Sequence, residues 1–204
     1  MVYDAGGASV VWSIGDAFCK VKILDSDAIR EHVTLIGQIF TEVWSNIDEA
    51  MKQYYVSRVA GICKELAVWQ SDGISGVDGQ HLSDHFLTRL QLPIDCSPQN
   101  LLNNCKEVEM DCSIFVFYHC DLGPGNIIVD AAAEGSIGII DWETAGFVPK
   151  EWIRTKFCIP SGMDLPGSDQ ESRVDWRRRV QRQLEKEGFP EVGERWMTWW
   201  INEN

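Results

Sequence analysis

Several large classes of protein are excluded by what this chain lacks. No apolar run approaches the roughly 18 to 20 residues needed to cross a bilayer, and the opening "MVYDAGGASVVW" has no charged-then-apolar leader, so no membrane role is expected. Basic residues are scarce: 18 Lys and Arg stand against 31 Asp and Glu, a formal charge of −13. Nucleic-acid affinity rests on neutralising phosphates with Lys and Arg, so this balance argues against a nucleic-acid partner. It suits a neutral or cationic small molecule better. The one basic run, Arg177-Arg178-Arg179, lies in "VDWRRRVQRQLEKE", where mixed charges at helical spacing predict a solvated helix face. Paired-cysteine spacing is also missing. The seven cysteines are an odd number without CxxC or Cys/His zinc patterns, which points to reduced thiols and a cytoplasmic protein. His81 and His85 in "HLSDH" have no further ligands at zinc spacing and are expected to be solvated imidazoles.

What the chain does have is material for a core, 45% hydrophobic residues in 204 positions. "ASVVWSIGDAFCKVKIL" alternates around Gly15-Asp16 and predicts a strand hairpin. Ile29, Val33, Ile36, Phe40 and Val43 then step at three and four residues behind Asp25-Ser26-Asp27, predicting a helix. A second helix is expected from Ser45-Asn46, with Asp48 and Glu49 in its first turn and Ile47, Met51, Tyr55, Val59, Ile62, Leu66 and Trp69 on one face, to Ser71-Asp72-Gly73. "GISGVDGQHLSDHF" reads as loop and "SPQNLLNNCKEVEM" as helix. Three short strands follow in "SIFVFYH", "NIIVD" and "SIGIID". The last sixty residues lean helical, with Trp196, Trp199 and Trp200 spaced for core packing.

Between the first two of those strands, "HCDLGPGN" carries Asp121 and Asn126 in a D-x-x-x-x-N spacing, with His119 two residues ahead. By average usage the Asp/Asn pair alone would arise roughly 0.4 times in such a chain; adding the histidine lowers this to about 0.01. A second carboxylate, Asp141, ends the third strand. Phosphoryl transfer needs a carboxylate to take the proton of an attacking hydroxyl and oxygen ligands for Mg²⁺. Asp121 can serve as the base, and a tight hairpin would set Asn126 beside Asp141 as the metal pair. His119 is expected to brace the loop. A nucleophilic Cys120 activated by His119 is a poor rival, since neighbours at a strand end point to opposite faces.

"HCDLGPGNIIVD" followed by "IGIIDWETAGFVP" resembles the catalytic core of the aminoglycoside phosphotransferase and choline kinase-like family, in the version common among fungal proteins. That resemblance implies a protein kinase-like α+β fold, ATP and Mg²⁺ as cofactors, and transfer of the γ-phosphate to a hydroxyl of a small-molecule acceptor. Asp121 matches the base, Asn126 and Asp141 the metal ligands, and Cys120 replaces a glycine or other small residue often found there. "VWSIGDAFCKVKI" is similar to the family's strand pair, with Lys20 in the place of the phosphate-contacting lysine and Lys22 a competing candidate. Glu31 of "AIREHVTL" matches the glutamate that pairs with that lysine. The resemblance also divides the chain into a reduced N-terminal lobe, 1–43, and a mainly helical catalytic lobe, 44–204, holding a small catalytic β-hairpin.

The family's adenine-holding strands and hinge need on the order of 30 residues. Only twelve separate Glu31 from Trp44, and they read as continuous helix. A shortened or exon-skipped product, a degenerate member that binds without transferring phosphate, and repurposed chemistry are the alternatives to an active kinase. The acidic composition suits a cationic acceptor such as an aminoglycoside or amine alcohol.

Overall fold

A computed structural model of the chain describes residues 3–4, 9–14, 17–22, 38–89, 93–130 and 135–203. It mixes helices with two sheets, consistent with the α+β expectation. In the first sheet, β1 (Tyr3–Asp4) pairs with β2 (Ser9–Ile14), which forms the predicted hairpin with β3 (Ala17–Lys22) from Ser9↔Lys22 to Ile14↔Ala17. β4 is the two-residue strand Gln38–Ile39. β8 (Ile127–Asp130) and β9 (Ser136–Ile139) form a second hairpin, from Ile127↔Ile139 to Asp130↔Ser136. The two hairpins join because β3 runs parallel to β9 at Cys19↔Ile139, and β4 closes the other edge on β8, giving the order β1-β2-β3-β9-β8-β4.

The second sheet, β5-β7-β10-β6, is assembled from β5 (Gln70–Ser71), β6 (Ser75–Gly76), β7 (Phe115–Tyr118) and β10 (Gly146–Pro149). All four residues of β7 are buried, as its unbroken apolar run requires. Its cover comes from α2 (Glu49–Leu66) and α4 (Lys150–Lys156), with α5 (Gln170–Lys186) packed on α2. The short α1 (Phe40–Val43) precedes α2, α3 (Pro98–Glu107) carries its proline in the first turn, and α6 (Gly193–Glu203) ends the fold. Phe40, Trp44, Tyr55 and Trp176 meet edge to face at centroid distances of 4.7 to 5.4 Å, tying α1 and α2 to α5. Trp196 is buried and stacks on Trp200 at 5.4 Å, the core packing expected of that helix.

Three sequence expectations need correction. Residues 32–43 are not continuous helix, because Gln38 and Ile39 pair with Val129 and Ile128 of β8. The free edge of β8 offers backbone partners that a helix at Gln38–Ile39 would leave unmet, and α1 begins at Phe40. Glu31 and the rest of 23–37 lie outside the described residues. α2 stops at Leu66 rather than at 71–73: the Phe117 N–H donates to the Trp69 carbonyl at 2.9 Å and Gln70–Ser71 join β7, so sheet bonding takes over. Trp69 and Met51, expected on the helix's buried face, are 40% and 37% exposed. Finally, the arginine run is not uniformly solvated, since Arg177 is largely buried against Asp164 while Arg178 and Arg179 pair with Glu171, Asp175 and Glu49 nearer the surface.

Candidate active site

Two neighbouring crossings between the sheets build the site. The chain leaves β7 of the second sheet through residues 119–126 to reach β8 of the first, then returns from β9 through 140–145 to β10. β8 and β9 are paired, and so are β7 and β10, so the two crossings must lie side by side. The outgoing one carries His119, Asp121 and Asn126, and the returning one carries Asp141.

His119 fastens the crossings to each other. Its ring is fully buried, edge-on to Trp142 at 4.7 Å. The Asp121 backbone N–H donates to Nδ1 (3.2 Å), which leaves the proton on Nε2 to donate to the Ile140 carbonyl at 2.9 Å. Thr144 Oγ1 donates to the His119 carbonyl at 3.1 Å. Burial holds the imidazole neutral, pushing its pKa down to about 4 against opposing contributions from the Ile140 carbonyl, Asp121 and Asp141. Cys120, by contrast, is sealed from solvent, with its thiol near the Tyr118 carbonyl and its pKa driven well up by burial, the opposite of what a thiolate nucleophile needs.

Asn126 ends the 3-10 turn Pro124–Asn126, and its Nδ2 donates both to the Asp121 carbonyl (2.8 Å) and to Asp121 Oδ2 (2.9 Å). Its backbone carbonyl accepts from the Ile140 N–H at 3.0 Å, which sets Asn126 beside the chain entering Asp141. The amide oxygen is thus turned away from Asp121. Asp141 is exposed. An amide oxygen and a carboxylate are hard oxygen donors of the kind Mg²⁺ takes, so the donor set fits that ion. Among the described residues no group of three or more His, Cys, Asp or Glu is placed to hold a metal.

The backbone is strained where the site sits. Cys120 and Asp141 adopt φ of 64° and 63°, two of the three described non-glycine residues with positive φ. Asp tolerates this region; Cys does so poorly. Lys20 lies on β3 one residue beyond Cys19, which pairs with Ile139, so the backbone brings its position level with Ile140, next to Asp141.

A further wall was not legible in the sequence. The segment 160–163 closes on the outgoing crossing so tightly that a Cβ on Gly123 would lie 1.9 Å from the Gly162 carbonyl oxygen. Gly162, with φ +72°, in turn leaves room beside Asp121: a Cβ there would sit 3.2 Å from Oδ1. Past Gly162 an open cleft of about 590 Å³ continues between Thr41, Ser161, Leu165 and Arg173.

Residues 112–149, which span both crossings, match the phosphotransferase enzyme family (APH). No curated protein and no solved structure matches the chain. The phosphotransferase match begins ahead of β7 and ends with β10, so it covers Asp121, Asn126 and Asp141 and leaves the cleft wall at 160–167 outside.

Proposed function

We propose that the chain is an ATP-dependent phosphotransferase of protein kinase-like descent that phosphorylates a hydroxyl of a small molecule. The observation carrying this reading is the pair of adjacent crossings, which gathers Asp121, Asn126 and Asp141 inside the stretch that matches the phosphotransferase family. Asp121 takes the proton of the acceptor hydroxyl, with Oδ2 held by Asn126 and Oδ1 facing the cleft wall. Asn126 Oδ1 and the Asp141 carboxylate would hold Mg²⁺, Lys20 would contact the nucleotide phosphates, and Glu31 would pair with that lysine. Bound MgATP supplies the phosphoryl group, with the metal neutralising charge on it. His119 positions the crossings and does not touch substrate. We place the protein in the cytoplasm, a setting compatible with its six described free cysteines; among the described residues no helix is long and apolar enough to cross a membrane.

One observation favours a second reading, a kinase-like protein of fungal type that binds without transferring phosphate. β3 is bonded directly to β9, and among the described residues the next strand is the two-residue β4, which supports a reading with a shortened N-terminal lobe lacking the strands and hinge that would hold adenine. Thermal shift with MgATP on wild type and Asp141→Asn, followed by label transfer to a panel of hydroxyl compounds, separates the two. A shift lost in Asp141→Asn together with labelled product supports the kinase. A shift without product in any acceptor supports the binder, and no shift at all sinks both.

A further inference from the structure

The described lining of the cleft carries one cation, Arg173, and one carboxylate, Asp164, in a chain whose net charge is −13. Asp164, only 8% exposed at its side chain, is already engaged by Arg177 Nε at its back. Arg177 is itself consumed there, since its NH1 also reaches the Phe157 and Cys158 carbonyls. Arg173 is different. Its guanidinium lies 3.7 Å from Asp164, beyond a good hydrogen bond, and its side chain is 41% exposed. Asp164 thus faces two guanidiniums, and of these only Arg173, more loosely held and more exposed, lines the cleft.

The backbone fixes Arg173 in place. Its N–H donates to the Asp169 carbonyl in the first turn of α5, and its carbonyl accepts from the Leu165 N–H at 2.8 Å, tying the helix to the cleft loop. The cleft therefore has two chemically distinct borders. At one, Gly162 adjoins Asp121; at the other, Gly167 adjoins Arg173, where an added Cβ would meet Arg173 Cγ at 3.8 Å. A molecule lying along it meets a carboxylate at the first border, which suits a hydroxyl and repels an anion. At the second it meets a planar cation with donors to spare, the group best shaped for a carboxylate or phosphate.

We propose that the acceptor is an anionic hydroxy compound, its hydroxyl at Asp121 and its carboxylate or phosphate on Arg173. This rests on the phosphotransferase reading for the role of Asp121, and it runs against the polycationic acceptor that the net charge of −13 suggests. Long-range repulsion from that charge is screened within about 8 Å at physiological salt, so the local guanidinium decides.

The test measures binding without nucleotide, by calorimetry, of gluconate, glucose 6-phosphate, glucose and glucosamine to wild type, Arg173→Gln and Arg173→Lys. Gluconate or glucose 6-phosphate should bind wild type better than the neutral and amino sugars, and the preferred one identifies the anion. Arg173→Gln should weaken that binding about tenfold or more, while Arg173→Lys retains part of it. Glucosamine binding at least as well as both anions, no binding by either anion, or binding untouched in Arg173→Gln overturns the proposal. Labelled transfer from MgATP is scored separately. Anion binding through Arg173 with no transfer to any acceptor removes the kinase and keeps the anion site. Transfer to an amine-bearing acceptor, indifferent to Arg173, keeps the kinase and removes the anion site.

Discussion

The two sheets differ in how they are assembled, and the difference separates chemistry from support. The six-stranded sheet joins strands from the first forty residues to the hairpin at 127–139, so its β3–β9 pairing depends on segments far apart in the chain. The four-stranded sheet draws all its strands from 70–149, and helices cover it. Beneath it lies a buried ion pair, Lys156 Nζ to Asp84 Oδ1 at 2.9 Å, with Asp84 Oδ2 accepting from Trp152 Nε1 at 2.8 Å and the ammonium over the Phe86 ring. Asp121, Asn126 and Asp141, the candidate site residues gathered here, lie on neither sheet but on the two links between them. A link can hold polar groups part-exposed and backbone strained because paired strands fix both of its ends.

That division predicts that changes in the links cost activity while changes beneath the second sheet cost folding. The largest effect is expected from Asp121→Asn, which should lower phosphotransfer by about 10²–10⁴-fold, the range for removing a general base. MgATP thermal shift and the unfolding midpoint should stay near wild type. An equal loss of stability would mean that Asp121 supports the fold, and the contrast between links and base would fail. Lys156→Ala should do the reverse, costing about 3–5 kcal/mol in urea unfolding because the Asp84 carboxylate is left buried and unpaired.

Gly123→Ala tests where the two roles meet. Its methyl would run into the Gly162 carbonyl, and neither backbone can yield easily, so a loss of about 1–3 kcal/mol is expected. Activity should fall further than stability accounts for, since the wall beside Asp121 moves. At neutral pH the smallest effect is a pH dependence, which appears only on acidification. The His119 pKa falls from about 6.5 unfolded to about 4 folded, so the unfolded chain binds the extra proton between those values. Its contribution to stability is complete above pH 6.5 and is lost as pH falls toward 4. His119→Gln should flatten that part of the urea-midpoint profile; an unchanged slope would show that His119 is not kept neutral by the links.

The local pieces were readable because short-range physics writes them. "FVFYH", "NIIVD" and "SIGIID" are β-branched and aromatic runs with breaks between, and a strand, a turn and its partner strand are neighbours in sequence, so the juxtaposition of Asn126 with Asp141 followed from the hairpin alone. An acidic start to α2 was legible for the same reason, but the helix begins at Glu49 rather than near Ser45-Asn46, so Asp48 stands just before it and caps the Met51 N–H at 2.8 Å. Gln38 and Ile39 were misread because they sit in a helical stripe, and only the open edge of β8, some ninety residues on, makes a strand of them. The end of α2 was misplaced because β7, also remote in sequence, captures the chain at Trp69.

By itself, then, the sequence determined the α+β class, the hairpin of β8 and β9 and the spacing of Asp121, Asn126 and Asp141 around it, since each follows from side-chain period, turn chemistry and motif spacing over a few dozen residues. Only the tertiary structure decided that the N-terminal hairpin joins that of β8 and β9 in a single sheet, and that Gly162 closes against Gly123. It also decided that Arg173, loosely paired with Asp164 and 41% exposed, lines the cleft beyond Gly162. Those outcomes depend on which distant backbones find each other's free hydrogen-bonding edges and which close approaches glycine permits, and no local pattern encodes either.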